Sequence, residues 1–465
     1  NRLMNENDAS SYSETESKSF SNQISYYKGS RTRKGRGLSI SASNANSNTD
    51  DNNLNQSTTV KYKYPGGTTT TETEVRNQII RNDNSNDSYT FDLDYTEPIT
   101  DSLFVAVIGG YDMSRSVEHR DTYDYDELTG QYTTFNDSLS SYSLSKRHNI
   151  NPRVSIRLDK SKYNFSMTLG TNIAKFYNYG NFVGEDYVFD KDYMMPSASM
   201  NFSYRADKGK SMYVNYNYGV SYPQASQILS IQDKVNPLNT FIGNPNLRPG
   251  GSHSIMGSYR NFNTSTRSGI MLWMNVTFFQ DQITRFSTIN DSGETTTTYR
   301  NISGALSASI SPSWFKTFKH NEHSFRLSTT LSTNFGIDKG YLNGSLYDSQ
   351  SIRIGPNINL GYDYGELFTL NPSYNYSYNQ FNYTNYRVSS TSNFVHRFNL
   401  QATSYWPKHF VFANDFGYTY NSNITGNFKK DFYLWNTSIG YNFLKDDMTF
   451  QVKVYDLLNQ NIGTS

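Results

Sequence analysis

Histidine is the first residue type to ask about chemistry, and its seven copies, His119, His148, His253, His320, His323, His396 and His409, are scattered. Only His320 and His323 stand at a metal-ligand spacing, and they flank an expected turn. A His-x-x-His on a turn without a close third ligand is more often solvated than metallated. Cysteine is absent, which removes disulfides and thiolate metal sites. Serine is abundant, yet no Gly-x-Ser-x-Gly elbow holds one as a nucleophile. The acidic group Asp121, Asp124, Asp126 and Glu127 could offer oxygens to Ca²⁺, but it lacks the ordered ligand series of an EF-hand and reads better as a solvated tip. No catalytic constellation emerges, so the chain is expected not to be an enzyme and to carry no cofactor.

Binding chemistry is better represented. Residues 222–251 carry Tyr222, Gln224, Gln227, Asn236, Phe241, Asn244 and Asn246, types that stack on and hydrogen-bond neutral ligands such as sugars or peptides. Tyr222, Phe241, Asn244 and Arg248 are the candidate ligand-binding residues. Pro223, Pro237, Pro245 and Pro249 equally suit a link that merely folds stiffly, and the sequence leaves both readings open.

The elements that must position these residues are strands. Tyr89, Phe91, Leu93 and Tyr95 alternate with Thr90, Asp92, Asp94 and Thr96, and successive side chains of a strand point to opposite faces. Phe165, Met167, Leu169 and Ile173 oppose Ser166, Thr168 and Asn172; Leu272, Met274 and Val276 oppose Asn275 and Thr277. Phe325 and Leu327 oppose Arg326 and Ser328, while Phe450, Val452 and Val454 oppose Gln451 and Lys453. Lipid would take the first set of each pair and a wet lumen the second. A soluble sandwich or propeller also alternates, but its strands are usually about five or six residues and these runs are longer.

Composition fits that reading. Hydrophobic residues make up 35% and mean hydropathy is -0.71, yet aromatics reach 15%, with 39 Tyr against 4 Trp. A water-filled lumen and polar loops dilute the lipid face, and aromatic girdles raise the ring content. No stretch approaches the roughly 18 consecutive apolar residues of a membrane helix, so a membrane crossing here must use strands closed on themselves. A net charge of +1 gives no bulk attraction to nucleic acid. Residues 1–21 are polar without the apolar core of a signal peptide, which an outer-membrane destination needs; the chain is therefore expected to be a mature piece or a fragment.

Short links at Glu97-Pro98-Ile99-Thr100-Asp101, Asp159-Lys160-Ser161-Lys162, Ala206-Asp207-Lys208-Gly209-Lys210, Asn263-Thr264-Ser265-Thr266, Tyr364-Gly365-Glu366 and Leu444-Lys445-Asp446-Asp447 alternate with longer ones. Bacterial barrels place short turns in the periplasm and long loops outside. The pattern predicts about eighteen strands, the first over 19–27 and the last over 448–458, behind a polar segment or incomplete strand at 1–18; the barrel domain is 19–465. Two hairpins should project well beyond the membrane, one over 37–97 with its tip at Pro65-Gly66-Gly67 and one over 103–159 around Leu128-Thr129-Gly130. Residues 44–59 could instead be disordered. The basic turn Arg31, Arg33, Lys34 and Arg36 is expected at the periplasmic end, facing anionic headgroups or a plug.

Asn244-Pro245-Asn246-Leu247-Arg248-Pro249 followed by a strand resembles the Asn-Pro-x-Leu-Lys/Arg-Pro-Glu signature of TonB-dependent receptor barrels, and Gly250 stands where that signature usually has Glu. Val454-Tyr455-Asp456-Leu457-Leu458-Asn459-Gln460-Asn461 is similar to the penultimate strand of the "outer membrane β-barrel" receptor-like proteins of Bacteroidetes. Tyr95-Thr96-Glu97-Pro98, Met195-Pro196-Ser197-Ala198 and Leu434-Trp435-Asn436 fall in the matching order. The resemblance implies an all-β, transmembrane antiparallel barrel of 22 strands in a Gram-negative outer membrane, of which the fourth through twenty-first would be visible, without plug or final strand. It also implies uptake of a scarce solute, a TonB-type energy-transducing partner acting through the plug, contact with outer-membrane lipid and lipopolysaccharide, and a possible surface lipoprotein. The alternative is a barrel that no longer transports and serves as an assembly, secretion or scaffold partner.

Overall fold

The computed structural model describes residues 3–460, except 65–68, 208, 237, 291, 292, 387, 427, 428, 445 and 446. It begins with β1 (Asn5–Gly29), β2 (Gly37–Lys63), β3 (Thr70–Pro98), β4 (Leu103–Asp126), the short β5 (Gln131–Phe135) and β6 (Ser141–Asp159). β7 (Tyr163–Phe182), β8 (Glu185–Asp207) and β9 (Lys210–Ser221) follow. Then come a single helical turn, α1 (Ala225–Ile228), and the small strands β10 (Gln232–Asn236) and β11 (Asn239–Ile242). β12 (Gly250–Asn263) and β13 (Ser268–Gln280) lead into the hairpin β14 (Gln282–Ile289) and β15 (Thr295–Ile302). The chain continues through β16 (Ala305–His320), β17 (His323–Leu342), β18 (Ser345–Tyr364) and β19 (Phe368–Thr384). β20 (Ser390–Ser404), β21 (Phe410–Asn421), β22 (Asp431–Phe443) and β23 (Met448–Val454) complete it.

Among the described residues a 19-stranded sheet contains an antiparallel meander of eighteen strands from β1 to β23, with β5 as a side branch on β4. β1 and β23 are its two edges and are not paired to each other. The meander matches the strand number expected from the turn pattern. Its first strand starts at Asn5 rather than Ser19, because β1 is held by a backbone ladder to β2 along its whole length and not by alternation. The same ladder, with β3 on the other side, orders residues 44–59 as strand. The arms of that hairpin are 27 and 29 residues, well beyond the nine to eleven or so that cross a bilayer. Its Pro65-Gly66-Gly67 tip lies outside the described residues, as do Lys208, Lys445, Asp446 and Asn461 from the turn and strand motifs. The second projecting hairpin turns at Gly130, whose φ of +68 is a conformation that glycine takes without strain.

Register makes the two faces continuous. Ile24, Ala42, Phe91, Tyr111, Ile150, Ile173 and Met194 are successive cross-strand partners from β1 to β8. Phe412, Ile439 and Val452 carry the same face to β23. Cross-strand partners share a face, so this is one apolar belt. Phe91 is 47% exposed and Leu169 49%, although nothing in a globular fold would leave so many large apolar residues uncovered. The other face is polar: Thr168 stands between Ser155 and Ser199 and donates to Ser155 at 3.0 Å, while Thr277 and Ser254 are 3.1 Å apart.

Protein-on-protein burial is concentrated where residues 222–249 lie on the polar-side face of β7 and β8. Ala174, Phe176 and Tyr193 form one cluster, and Ala225, Ile228 and Leu229 another, packed on Tyr187 and Phe189. Ile228 and Leu247 are fully buried. The link expected to be irregular also contains β10 and β11, which join β14 and β15 in a separate four-stranded sheet. β11 pairs with β15 in parallel, a partner more than fifty residues away in sequence, so no local hairpin signal announces it.

Candidate functional site

The inward face of β6 carries Arg147, Asn149, Asn151 and Arg153, a polar side chain at every second position opposite the apolar Ile150, Val154 and Ile156. Asp112 on β4 gathers three of them: Asn149 Nδ2 donates to its carboxylate at 2.7 Å, Asn151 Nδ2 at 3.2 Å and Arg147 Nη2 at 3.4 Å. Arg153 lies 3.6 Å from Asp92 on β3. A side chain at Gly110 would meet Asp92 Oδ1 at 3.0 Å and Asn151 at 3.3 Å, so the glycine is what lets the carboxylate and the amide converge.

Tyr222 roofs this group. Its ring sits 4.9 Å from Phe176 and under the Arg147 guanidinium at 5.4 Å. Burial lifts the Tyr222 hydroxyl above the usual phenol range, and the nearby Arg147 charge offsets that only in part. Among the described residues the hydroxyl has no hydrogen-bond partner, nor do the buried Arg147 Nε, Asn149 Oδ1, Asn151 Oδ1, Arg153 Nε or either amide atom of Asn178. Buried polar atoms are nearly always paired, with protein, ligand or ordered water, so this concentration on one inner face is the candidate place for a polar ligand or bound water. A cavity of about 580 Å³ opens beside it, lined by Ser116, Arg147, Phe176, Tyr222 and Gln224 among others.

The four residues singled out from sequence do not share one site. Tyr222 lines the cavity. Asn244 is spent on the fold: its Nδ2 donates to the Tyr299 carbonyl at 2.8 Å and its Oδ1 accepts from the Asn246 amide at 3.0 Å. Arg248 pairs with Asp281 at 3.0 Å, exchanges bonds with Asn301, and borders a different cavity of about 620 Å³. Phe241 lies in the small sheet beneath the Arg285 guanidinium, 5.6 Å away. Asp112, Arg147, Asn149 and Asn151 were not singled out from sequence. Their period-two spacing in β6 shows that they face inward, but not that a carboxylate on β4 gathers them.

The other polar groups with possible chemistry in the sequence have local partners. His323 Nδ1 is 2.9 Å from the Tyr362 hydroxyl. Asp126 accepts from the Leu128 amide at 2.9 Å and Thr129 Oγ1 at 3.0 Å, while Asp124 accepts from Gln78 and Asn136, so the acidic tip is divided among separate partners. Arg33 and Arg36 both close on Glu97, at 2.6 and 2.7 Å, which neutralises much of the basic turn.

An antiparallel meander whose uncovered outward face is a continuous apolar belt and whose inner face is polar has the two-sided pattern of a membrane-spanning β-sheet. The chain belongs to the Outer membrane protein beta-barrel family, whose model matches residues 30–352, and its place is the outer membrane. No curated protein matches it. Among solved structures it is similar to the copper transporter OprC, at 10% identity and a TM-score of 0.41 over 89% of this chain and 74% of that one. It is also similar to the Escherichia coli outer membrane transporter YddB, at 9% and 0.34 over 94% and 75%. The siderophore receptor PirA from Acinetobacter baumannii aligns at 11% and 0.29 over 87% and 76%. Likeness this slight says nothing about cargo.

Proposed function

We propose that this chain is the barrel of an outer-membrane receptor that takes up a scarce polar solute, driven through a plug by a TonB-type partner. On this reading it belongs to a 22-stranded barrel of the Bacteroidetes type, with the long hairpins outside the cell. The observation that carries the proposal is the set of unpartnered inward polar atoms around Arg147 and Asn149 beneath Tyr222. Ring faces of Tyr222 and Phe176 supply stacking area, and the amides supply orientation, a combination suited to a sugar or peptide. Phe241, Asn244 and Arg248 act there by holding the roof.

The test is accumulation of labelled oligosaccharides and peptides by cells with and without the chain. Deleting residues 226–244 should abolish accumulation while the barrel still assembles; unchanged accumulation would remove the proposal. A non-transporting scaffold that holds a surface lipoprotein is the second reading, favoured by the projecting wall of β1 to β4. Accumulation that never depends on the chain, with a lipoprotein co-purifying, would select it.

A further inference from the structure

The outward face of the tall hairpins is apolar at two heights. Above the belt it turns polar, with Asp87, Ser85 and Asp83 in succession on β3 and Asn46, Asn48 and Asp50 opposite them on β2. An apolar row then returns: Tyr12 on β1, Leu54 on β2, Ile79 on β3, Tyr123 on β4 and Phe135 on β5 are successive cross-strand partners. Ile79 is twelve positions along β3 from Phe91 of the belt, which puts the row about 40 Å up the wall at 3.3 Å per residue, far beyond lipid. Packing across the strands half-buries Leu54, Ile79 and Tyr123, and Tyr123 meets Phe135 edge to face at 5.6 Å. It leaves Tyr12 68% and Phe135 50% exposed to water. Single apolar residues on a surface need no explanation, but a contiguous row, here about 19 Å long at 4.8 Å per strand, marks an interaction surface.

The two rows on the belt side of this stripe are acidic. Glu14, Asn52, Arg81 and Asp121 form one, and Glu16, Asp50, Asp83 and His119 the next. Lys18 lies 3.0 Å from Glu16, His119 lies 3.2 Å from Asp121, and the Arg81 guanidinium sits over the Tyr123 ring at 5.2 Å. Glu14, Asp50 and Asp83 have no ion-pair partner among the described residues, although Asp50 and Asp83 stand directly opposite each other. Like charges so placed destabilise a sheet, so the acidic border does not serve the wall itself.

We propose that this stripe docks a protein partner through a segment whose apolar ridge is flanked by lysine and arginine. The apolar row takes the ridge, and Glu14, Asp50 and Asp83 take the cations. The same border works against a second copy of this chain laid face to face, because a self-complementary contact would set carboxylates against carboxylates. Height above the belt leaves no part for lipid. The stripe is on the opposite face of the wall from the cavity beside Tyr222, so docking is separate from solute binding.

Peptide binding to the full chain in nanodiscs of neutral lipid tests this, with the signal of empty nanodiscs subtracted. The probes are an amphipathic helix with a leucine stripe flanked by lysine, the same peptide with glutamate for lysine, a scramble of the first without the stripe, and a neutral oligosaccharide. Only the first should bind. Leu54→Ser with Ile79→Thr should weaken it about tenfold, the loss of two central apolar contacts. Asp50→Asn with Asp83→Asn should weaken it severalfold and flatten its salt dependence. That second pair removes a repulsion within the wall, so the surface is read even if the first pair fails to fold. Asp190→Asn on β8, away from the stripe, should change nothing. Equal binding of the glutamate peptide or the scramble, no change in either double variant, the oligosaccharide bound in place of the peptide, or a dimer of the chain that Leu54→Ser with Ile79→Thr breaks would overturn the proposal.

Discussion

Lys61 Nζ lies 2.7 Å from Glu294 Oε1, joining the far end of β2 to the turn between β14 and β15. The same hairpin touches β17: Phe286 meets Tyr341 ring to ring at 5.0 Å, and the Arg300 guanidinium stacks 3.7 Å over Phe286. β2 and β17 are far apart in the meander, so the hairpin spans the space between them, and the ion pair ties down one end of it. Glu74 adds a second carboxylate 3.5 Å from Lys61.

That tie is pH-dependent with a defined sign. The hydrogen bond from Lys61 holds the Glu294 carboxyl below its ordinary 4.5, so its attraction is full above that value and is lost as pH falls through the lowered one. Burial lowers the Lys61 ammonium, but Glu294 and Glu74 more than offset this and leave it above 10.5; its contribution fades only in stronger alkali. The protection of amides over β14 and β15, taken relative to their intrinsic exchange rate at each pH, should stay flat from about pH 5 to 10 and fall below 4.5. Glu294→Gln should lower that protection by about two- to fivefold at neutral pH and remove its acid dependence, the modest size reflecting a partly exposed pair.

The register places Leu169 on the apolar belt, opposite Val154 and Ala198, and Thr168 on the polar face. Leu169→Arg should cost about 2 to 4 kcal/mol and impair assembly, whereas Thr168→Arg should assemble normally. Folded and unfolded fractions after dilution from urea into lipid vesicles distinguish them, and equal effects would refute the assigned faces.

Orientation is read with cysteine probes. Leu128 is 97% exposed at a projecting hairpin tip, and Lys160 lies in a short link at the other rim. A membrane-impermeant maleimide should label Leu128→Cys on intact cells and spare Lys160→Cys. The reverse pattern would turn the sheet over.

Roof and site are separable. Asn244→Ala leaves the Tyr299 carbonyl without its donor and should cost about 1 to 3 kcal/mol, seen as faster protease cleavage within residues 226–244. Tyr222→Phe removes a hydroxyl that has no partner among the described residues, so stability should hold or rise while solute accumulation falls. Accumulation unchanged in Tyr222→Phe would detach that hydroxyl from binding.

Sequence alone determined which way each side chain faces, because strand alternation is a local property with period two. Thr168 and Leu169, or Lys453 and Val452, declare their faces without any partner strand. It did not announce β1, since Asn5 to Lys18 lack apolar alternation and are strand only because β2 supplies a ladder. The site was decided by tertiary structure for the same reason. Asp112 meets Arg147 and Asn149 through a register set between strands some thirty-five residues apart. Likewise Asn244 looked like a ligand contact until a carbonyl at Tyr299, from another link, came within reach of its amide. Facing is written residue by residue; neighbourhood depends on which strands pair and where each register begins.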